Sequence, residues 1–197
     1  MPGYGVPVKL GLVLLGACAA SPAPTGPVSV GGSCNGITEN VPSEAGIHVA
    51  VGSSIEWSTN PPVTGMHYPV WAAYDRAYAQ LDRGFYLHDA EHGAIVFLYS
   101  CAGDCPDTVA ALEDVVRKMP TDPGCTAPVR QRAIVTGDPL LPLGVTVAAV
   151  AWDNWYTASC VDSYLGTFAS NYYGHGPENI CDNGADIGGT LIDPISH

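Results

Sequence analysis

Three histidines and a glutamate occupy two stretches that do not read as simple connections: His67 in GMHYP, then His88, Glu91 and His92 in HDAEHG. Imidazole nitrogen is a favoured ligand of zinc and copper, and three convergent rings with a water or a carboxylate complete a tetrahedral shell. Glu91 adjoins His92, a position from which it can ligate, orient a ligating ring or act as general base toward metal-activated water. Met66 precedes His67, and a thioether among the donors would favour Cu(I). The competing role of a loop histidine is a plain hydrogen bond to nearby backbone.

His88 to His92 also spell His-x-x-Glu-His, the inverted zinc-peptidase motif, which requires both histidines one turn apart on a helix. Its flanks FYL and AIVFLY read as strands and Gly93 follows at once, so the motif is expected in a loop. A second chemical candidate is Cys101-Ala-Gly-Asp-Cys105-Pro, between a strand and the start of a helix, where the helix dipole lowers a thiol pKa. CAGDCPDT resembles the copper loop of the thioredoxin-fold copper chaperones that assemble cytochrome oxidase. Against that stands the cysteine count. Of seven, Cys18 is set aside below, and the even remainder of Cys34, Cys101, Cys105, Cys125, Cys160 and Cys181 reads as up to three disulfides of undetermined pairing.

The elements that must position these groups read as follows. DTVAALEDVVRKM places Val109, Leu112, Val115, Val116 and Met119 on one face and predicts a helix. RAIVTG and TVAAVAW predict strands, GFYLHDAEHGAIVFLYSC a strand, a loop and a strand, and VDSYLGTFASNYY a second helix. Residues 74–81 suit a short helix or turn, and STNPPVTGMHYP is too rich in proline and glycine to be helical. The expected fold is therefore α/β or α+β: one domain with a mixed sheet, a β-α-β-β-α core, helices on the sheet, long Pro/Gly-rich N-terminal loops and disulfide stabilisation. Trp152, Trp155, Tyr156, Tyr172 and Tyr173 read as packing rather than as a pocket lining, and His48 and His197 carry no signal.

The N-terminal residues 1–17 read as a signal peptide, with Lys9 before the apolar run LGLVLLGA and a lipobox at Leu15-Gly16-Ala17-Cys18. Cys18 is the expected lipidation site, and an ordinary cleaved signal is the alternative. Residues 18–33, mostly Pro, Ser, Gly and Ala, read as a flexible tether, leaving 34–197 as a single globular domain. The expected location is the outer or cytoplasmic membrane, facing the periplasm or cell exterior, with the N-terminal lipid as membrane contact. The formal charge of −12 disfavours nucleic acid and anionic membrane surfaces as partners.

Three blocks resemble bacterial secreted and membrane-anchored proteins of domain of unknown function family 3105. They are TNPPVTGMHYP at Thr59 to Pro69, LHDAEHGAIVFLY at Leu87 to Tyr99, and VAAVAWDNW continued by YYGHGPE. In the first block Met66 stands where the family usually has proline. The resemblance implies a site around His67, His88, His92 and Glu91, and it does not extend to the cysteines, which favours a structural role for them. The expected function is a lipid-anchored extracytoplasmic protein that binds copper or zinc through His67, His88 and His92, with Glu91 and Met66 as further donors. Two alternatives stand beside it: a metal-dependent hydrolase with Glu91 as general base, and a structural envelope module without metal.

Overall fold

A computed structural model describes residues 25–192. The expected signal peptide and Cys18 lie outside these residues. The chain is α+β: strands β1 (Thr25–Gly31), β2 (Gly36–Asn40) and β3 (Arg76–Tyr78), helix α1 (Arg83–Glu91), β4 (Ile95–Tyr99), α2 (Pro106–Lys118), β5 (Ala133–Gly137), β6 (Val147–Ala151), β7 (Asn154–Ala158), α3 (Tyr164–Tyr172) and β8 (Thr190–Leu191). The eight strands form one mixed sheet in the order β1-β2-β7-β6-β4-β5-β3-β8. β3, β5 and β4 run parallel to one another, and the other pairings are antiparallel.

The central strands are apolar along their whole length because both faces of the sheet are covered. Successive residues point to opposite faces. Ile95, Phe97, Ala133, Val135, Val147 and Ala149 meet Leu112 and Val116 of α2 and Leu165 and Phe168 of α3. Val96, Leu98, Ile134, Ala148 and Val150 meet Tyr86, Leu87 and Ala90 of α1, together with Trp152. Each fully buried large side chain contributes about 1.5–3 kcal/mol relative to leaving it exposed. Helix α2 has Pro106 in its first turn, where no intrahelical N–H bond is lost, and Asp107 in its first turn and Arg117 and Lys118 in its last complement the helix dipole.

Three readings of the sequence are corrected. FYLHDAE is helix α1 rather than a strand and a loop. Its residues from Tyr86 to Glu91 are all buried, so the alternation of apolar and polar residues that marks a surface helix is missing. Residues 76–78, expected to be helix or turn, are β3, drawn into the sheet by parallel pairing with β5. The tether expected over residues 18–33 includes β1, whose backbone pairs with β2 from Thr25 to Gly31.

The six cysteines form three disulfides, Cys34–Cys160, Cys101–Cys105 and Cys125–Cys181. Cys101 and Cys105 bond to each other, so as paired they present no thiolates to a soft metal. No helix among the described residues is long and apolar enough to cross a membrane.

Candidate metal centre

Helix α1 carries His88 and Glu91, and its geometry explains why they face one place. The Asp82 side chain accepts from the Gly84 amide and starts the helix. Gly93 ends it in the left-handed region, at φ 84°. The Gly93 amide bonds to Ala90 and the Ala94 amide to Asp89, the Schellman pattern that closes a helix at glycine. His88 and His92, four residues apart, therefore share a face. Their Nε2 atoms are 3.1 Å apart.

The second contribution comes from the irregular chain between β2 and β3. The backbone of His67 pairs with that around His48, through Val49 N to His67 O at 2.9 Å and His67 N to Ile47 O at 3.1 Å. The Tyr68 amide reaches Gly84 O at 3.1 Å, which locks this chain onto the first turn of α1. Gly84 is needed there, because a Cβ would press into the Tyr68 ring.

Two backbone carbonyls orient the rings. His67 Nδ1 lies 2.9 Å from Gly65 O, and His88 Nδ1 lies 2.6 Å from Tyr68 O. A carbonyl only accepts, so each Nδ1 carries a proton, and in the neutral ring Nε2 presents a lone pair. His67 Nε2 stands 2.8 Å from Glu91 Oε2, and His48 Nε2 is 3.6 Å from the same oxygen. Neither His67 Nε2 nor Glu91 Oε2 has a hydrogen-bond partner. A lone pair facing a carboxylate at this distance is repulsive unless a cation, either a proton or a metal ion, stands between them. Gly46 makes room for the carboxylate, since a Cβ there would collide with Glu91 Oε1.

Glu178, from the segment after α3, completes the cluster with its Oε2 3.0 Å from His92 Nε2. Its placement rests on close backbone packing: Gly174 N bonds to Gly93 O, Glu178 N bonds to Glu91 O, and Gly176 lies so near Glu91 and Gly93 that a Cβ would strike their backbone. Arg132 fixes both sides of this junction. Its guanidinium donates to His92 O at 2.9 Å, to the Asn179 side chain and to Asp122 at 2.8 Å.

The donors fall into two groups whose ligand atoms lie within 4.8 Å of one another, one of His48, His67, His88 and Glu91, the other of His88, His92 and Glu178. Among the described residues no such group holds both His67 and His92, so the three histidines expected to converge are divided, with His88 common to both groups. Met66, next to His67 in the chain, is 40 % exposed. His48 and Glu178 were missed. His48 is recognisable only through its backbone pairing with His67, whereas Glu178 stood in the GPE block without a stated role.

His67, His88, Glu91 and His92 are buried, and His48 and Glu178 carry the cluster to the surface with side chains 47 % and 44 % exposed. Trp71 walls one side, its ring 5.1 Å from His88 and 4.5 Å from His92, and Trp152 lies 5.9 Å from His67. Burial lowers His88 to about 4, with the Tyr68 carbonyl pulling upward and the His92, His67 and His48 rings pushing further down. Burial also lowers His92, against the upward pull of Glu178 and Glu91. For Glu91, burial pushes upward, but interaction with the neighbouring His67, His88 and His48 rings outweighs it and holds the carboxyl below its usual range. Asp89, on the same helix, is fully buried, which raises its carboxyl well above that range despite the Ala72 amide.

The shift on His88 has a consequence for the metal-free protein. An unfolded chain takes up this proton near 6.5 and the folded chain only near 4, so between these values the unfolded state binds more protons and stability is lost as pH falls. The melting temperature of metal-free protein is expected to decline as pH drops from 6.5 toward 4, and His88→Gln to remove part of that decline. Equal pH slopes in the two proteins would contradict this.

The family model described as a protein of unknown function, DUF3105, matches residues 48–183. The match includes all six donor residues. No curated protein and no solved structure matches the chain.

Proposed function

We propose that this chain, which belongs to the DUF3105 family, is a lipid-anchored extracytoplasmic protein that binds a transition metal, zinc or copper, at the histidine cluster. One observation carries the metal reading: His67 and His88 are held through Nδ1 by backbone carbonyls, and His67 Nε2 faces Glu91 Oε2 at 2.8 Å, a spacing that is repulsive without a cation between them. A cation relieves that repulsion. Ligand atoms on a tetrahedral zinc with bonds of about 2.0–2.1 Å stand roughly 3.3 Å apart. The spacings of 2.8 Å and 3.6 Å about Glu91 Oε2 bracket that length.

His67, His88 and Glu91 form the buried part of this set, and His48 closes it from the surface. The grouped donors are nitrogen and oxygen, which suits zinc or Cu(II) better than Cu(I). When bound, the metal would supply Lewis acidity and a stable charge at the junction of the loop and α1. The chain supplies a rigid shell: carbonyls that set the tautomers, glycines that admit the carboxylate, and tryptophans that limit water. The extracytoplasmic part of the reading draws on the lipobox at Cys18 and on six cysteines paired as disulfides, which persist in oxidising compartments.

The test is metal analysis of full-length protein prepared by export into an oxidising compartment, followed by zinc and Cu(II) titration of the stripped protein. Binding at one equivalent or more is expected, with loss in a His48→Ala/His67→Ala/His88→Ala variant. A wild type that neither retains nor takes up metal would defeat the reading.

A second reading, metal-dependent hydrolysis with Glu91 as general base, is favoured by one observation. HDAEH is helical through Glu91, so His88 and His92 stand one turn apart with Glu91 between them. Glu91→Gln separates the two: retained metal with lost turnover on a panel of ester and peptide substrates marks catalysis, and no turnover by the wild type marks binding alone.

A further inference from the structure

Six donors surround this centre, more than one tetrahedral ion uses. They divide evenly by chemistry. His48 and His67 stand with Glu91, at 3.6 Å and 2.8 Å from its Oε2. His88 and His92 stand with Glu178, with 3.1 Å between the two Nε2 atoms and 3.0 Å from His92 Nε2 to Glu178 Oε2. Each set is two imidazoles and one carboxylate, a donor composition that holds zinc in three-ligand sites and leaves a position open. The sets are neighbours, for the His88 ring lies 4.8 Å from that of His48 and 4.9 Å from that of His67.

We infer that the cluster holds two metal ions side by side, one on His48, His67 and Glu91 and the other on His88, His92 and Glu178. This rests on the metal-binding reading above and extends it from one ion to two. His88 decides the arithmetic. Its Nδ1 proton is committed to Tyr68 O, so Nε2 has one lone pair and serves one ion at a time. With a single ion bound, His88 joins the first set as fourth ligand. When a second ion enters, His88 turns to it, and a water takes the vacated position on the first.

The second set is built rather than incidental. Two close glycine contacts, at Gly93 and Gly176, press the Glu178 segment onto the end of α1, and Arg132 ties His92 O to Asn179. His88 and His92 are almost fully buried, and His88 Nε2 accepts from His92 Nε2, whose proton a metal ion would displace. Two carboxylates, one per ion, offset part of the added charge, and the acidic chain as a whole favours cation uptake. Adjacent ions of this kind commonly stand about 3.5–4 Å apart and clamp one oxygen-donor ligand between them.

Zinc stoichiometry of the full-length, disulfide-intact protein tests this, read by titration against a chromophoric chelator and by elemental analysis after gel filtration. Two equivalents are expected in the wild type, and one in a His92→Ala/Glu178→Gln variant whose far-UV spectrum and remaining zinc affinity report that it is folded. One equivalent in the wild type would overturn the two-ion inference and leave the single site standing. No zinc in the wild type would overturn both. Two equivalents persisting in the variant would place the second ion on other groups and also overturn the inference.

Discussion

Replacing His88 by alanine is expected to weaken zinc binding by at least about 100-fold, equivalent to about 2.7 kcal/mol. His88 is shared by both donor groups, so its loss takes the fourth protein ligand from a single bound ion and breaks the set it forms with His92 and Glu178. The measurement is competition against a chelator of known affinity at neutral pH. His88→Gln serves as a second variant that fills more of the space, and thermal melts of both report folding. An affinity within about threefold of wild type in a folded variant would remove His88 from the centre. Met66→Ala is the matching control, expected to change little, because Met66 is exposed whereas His67 and His88 are buried.

Removing the Cys34–Cys160 disulfide is expected to have the largest effect on stability of any cysteine pair. It spans a sequence separation of 126, against 56 for Cys125–Cys181 and 4 for Cys101–Cys105. Cross-links that close longer loops restrict the unfolded chain more, which amounts to about 4–5 kcal/mol for the longest loop here and about 2 kcal/mol for the shortest. Cys34→Ser/Cys160→Ser should therefore lower the unfolding free energy more than Cys101→Ser/Cys105→Ser, as read from denaturant melts of otherwise oxidised protein. Equal losses in the two variants would show that local packing, not loop closure, sets the contribution. The longest bridge also pins β2 at its turn, since Ser159 N and its hydroxyl both bond to Cys34 O.

Much of the central sheet was legible in the residues. The runs IVFLY, AIVTG and VAAVA are β-branched and apolar, as strands covered on both faces must be, and α2 shows a plain amphipathic period. Helix α1 was not legible by period, because its polar residues face inward. Its punctuation was present all the same: Asp82 caps one end and Gly93 closes the other. Periodicity assumes that polar residues seek water, and His88, Glu91 and their neighbours violate it where the donors are gathered. Strands β1, β2, β3 and β8 were invisible for another reason. They are short or polar, and pairing with a sheet already formed supplies what their own propensity lacks.

By itself the sequence determined which residue types were available: the histidines of two motif blocks, a glutamate among them, and six cysteines able to pair. It also determined the local stiffness around them, through glycines and prolines that exclude helix in one block and end it in the other. Only the tertiary structure decided the partnerships. His67 and His92 prove to be in separate groups, His48 enters by backbone pairing, and Glu178 arrives from far along the chain. The physical reason is that a donor set is defined by distances of a few ångströms. Those distances follow from where Gly93 meets Gly176 and Tyr68 meets Gly84, contacts between segments that have no fixed relation until the chain has folded.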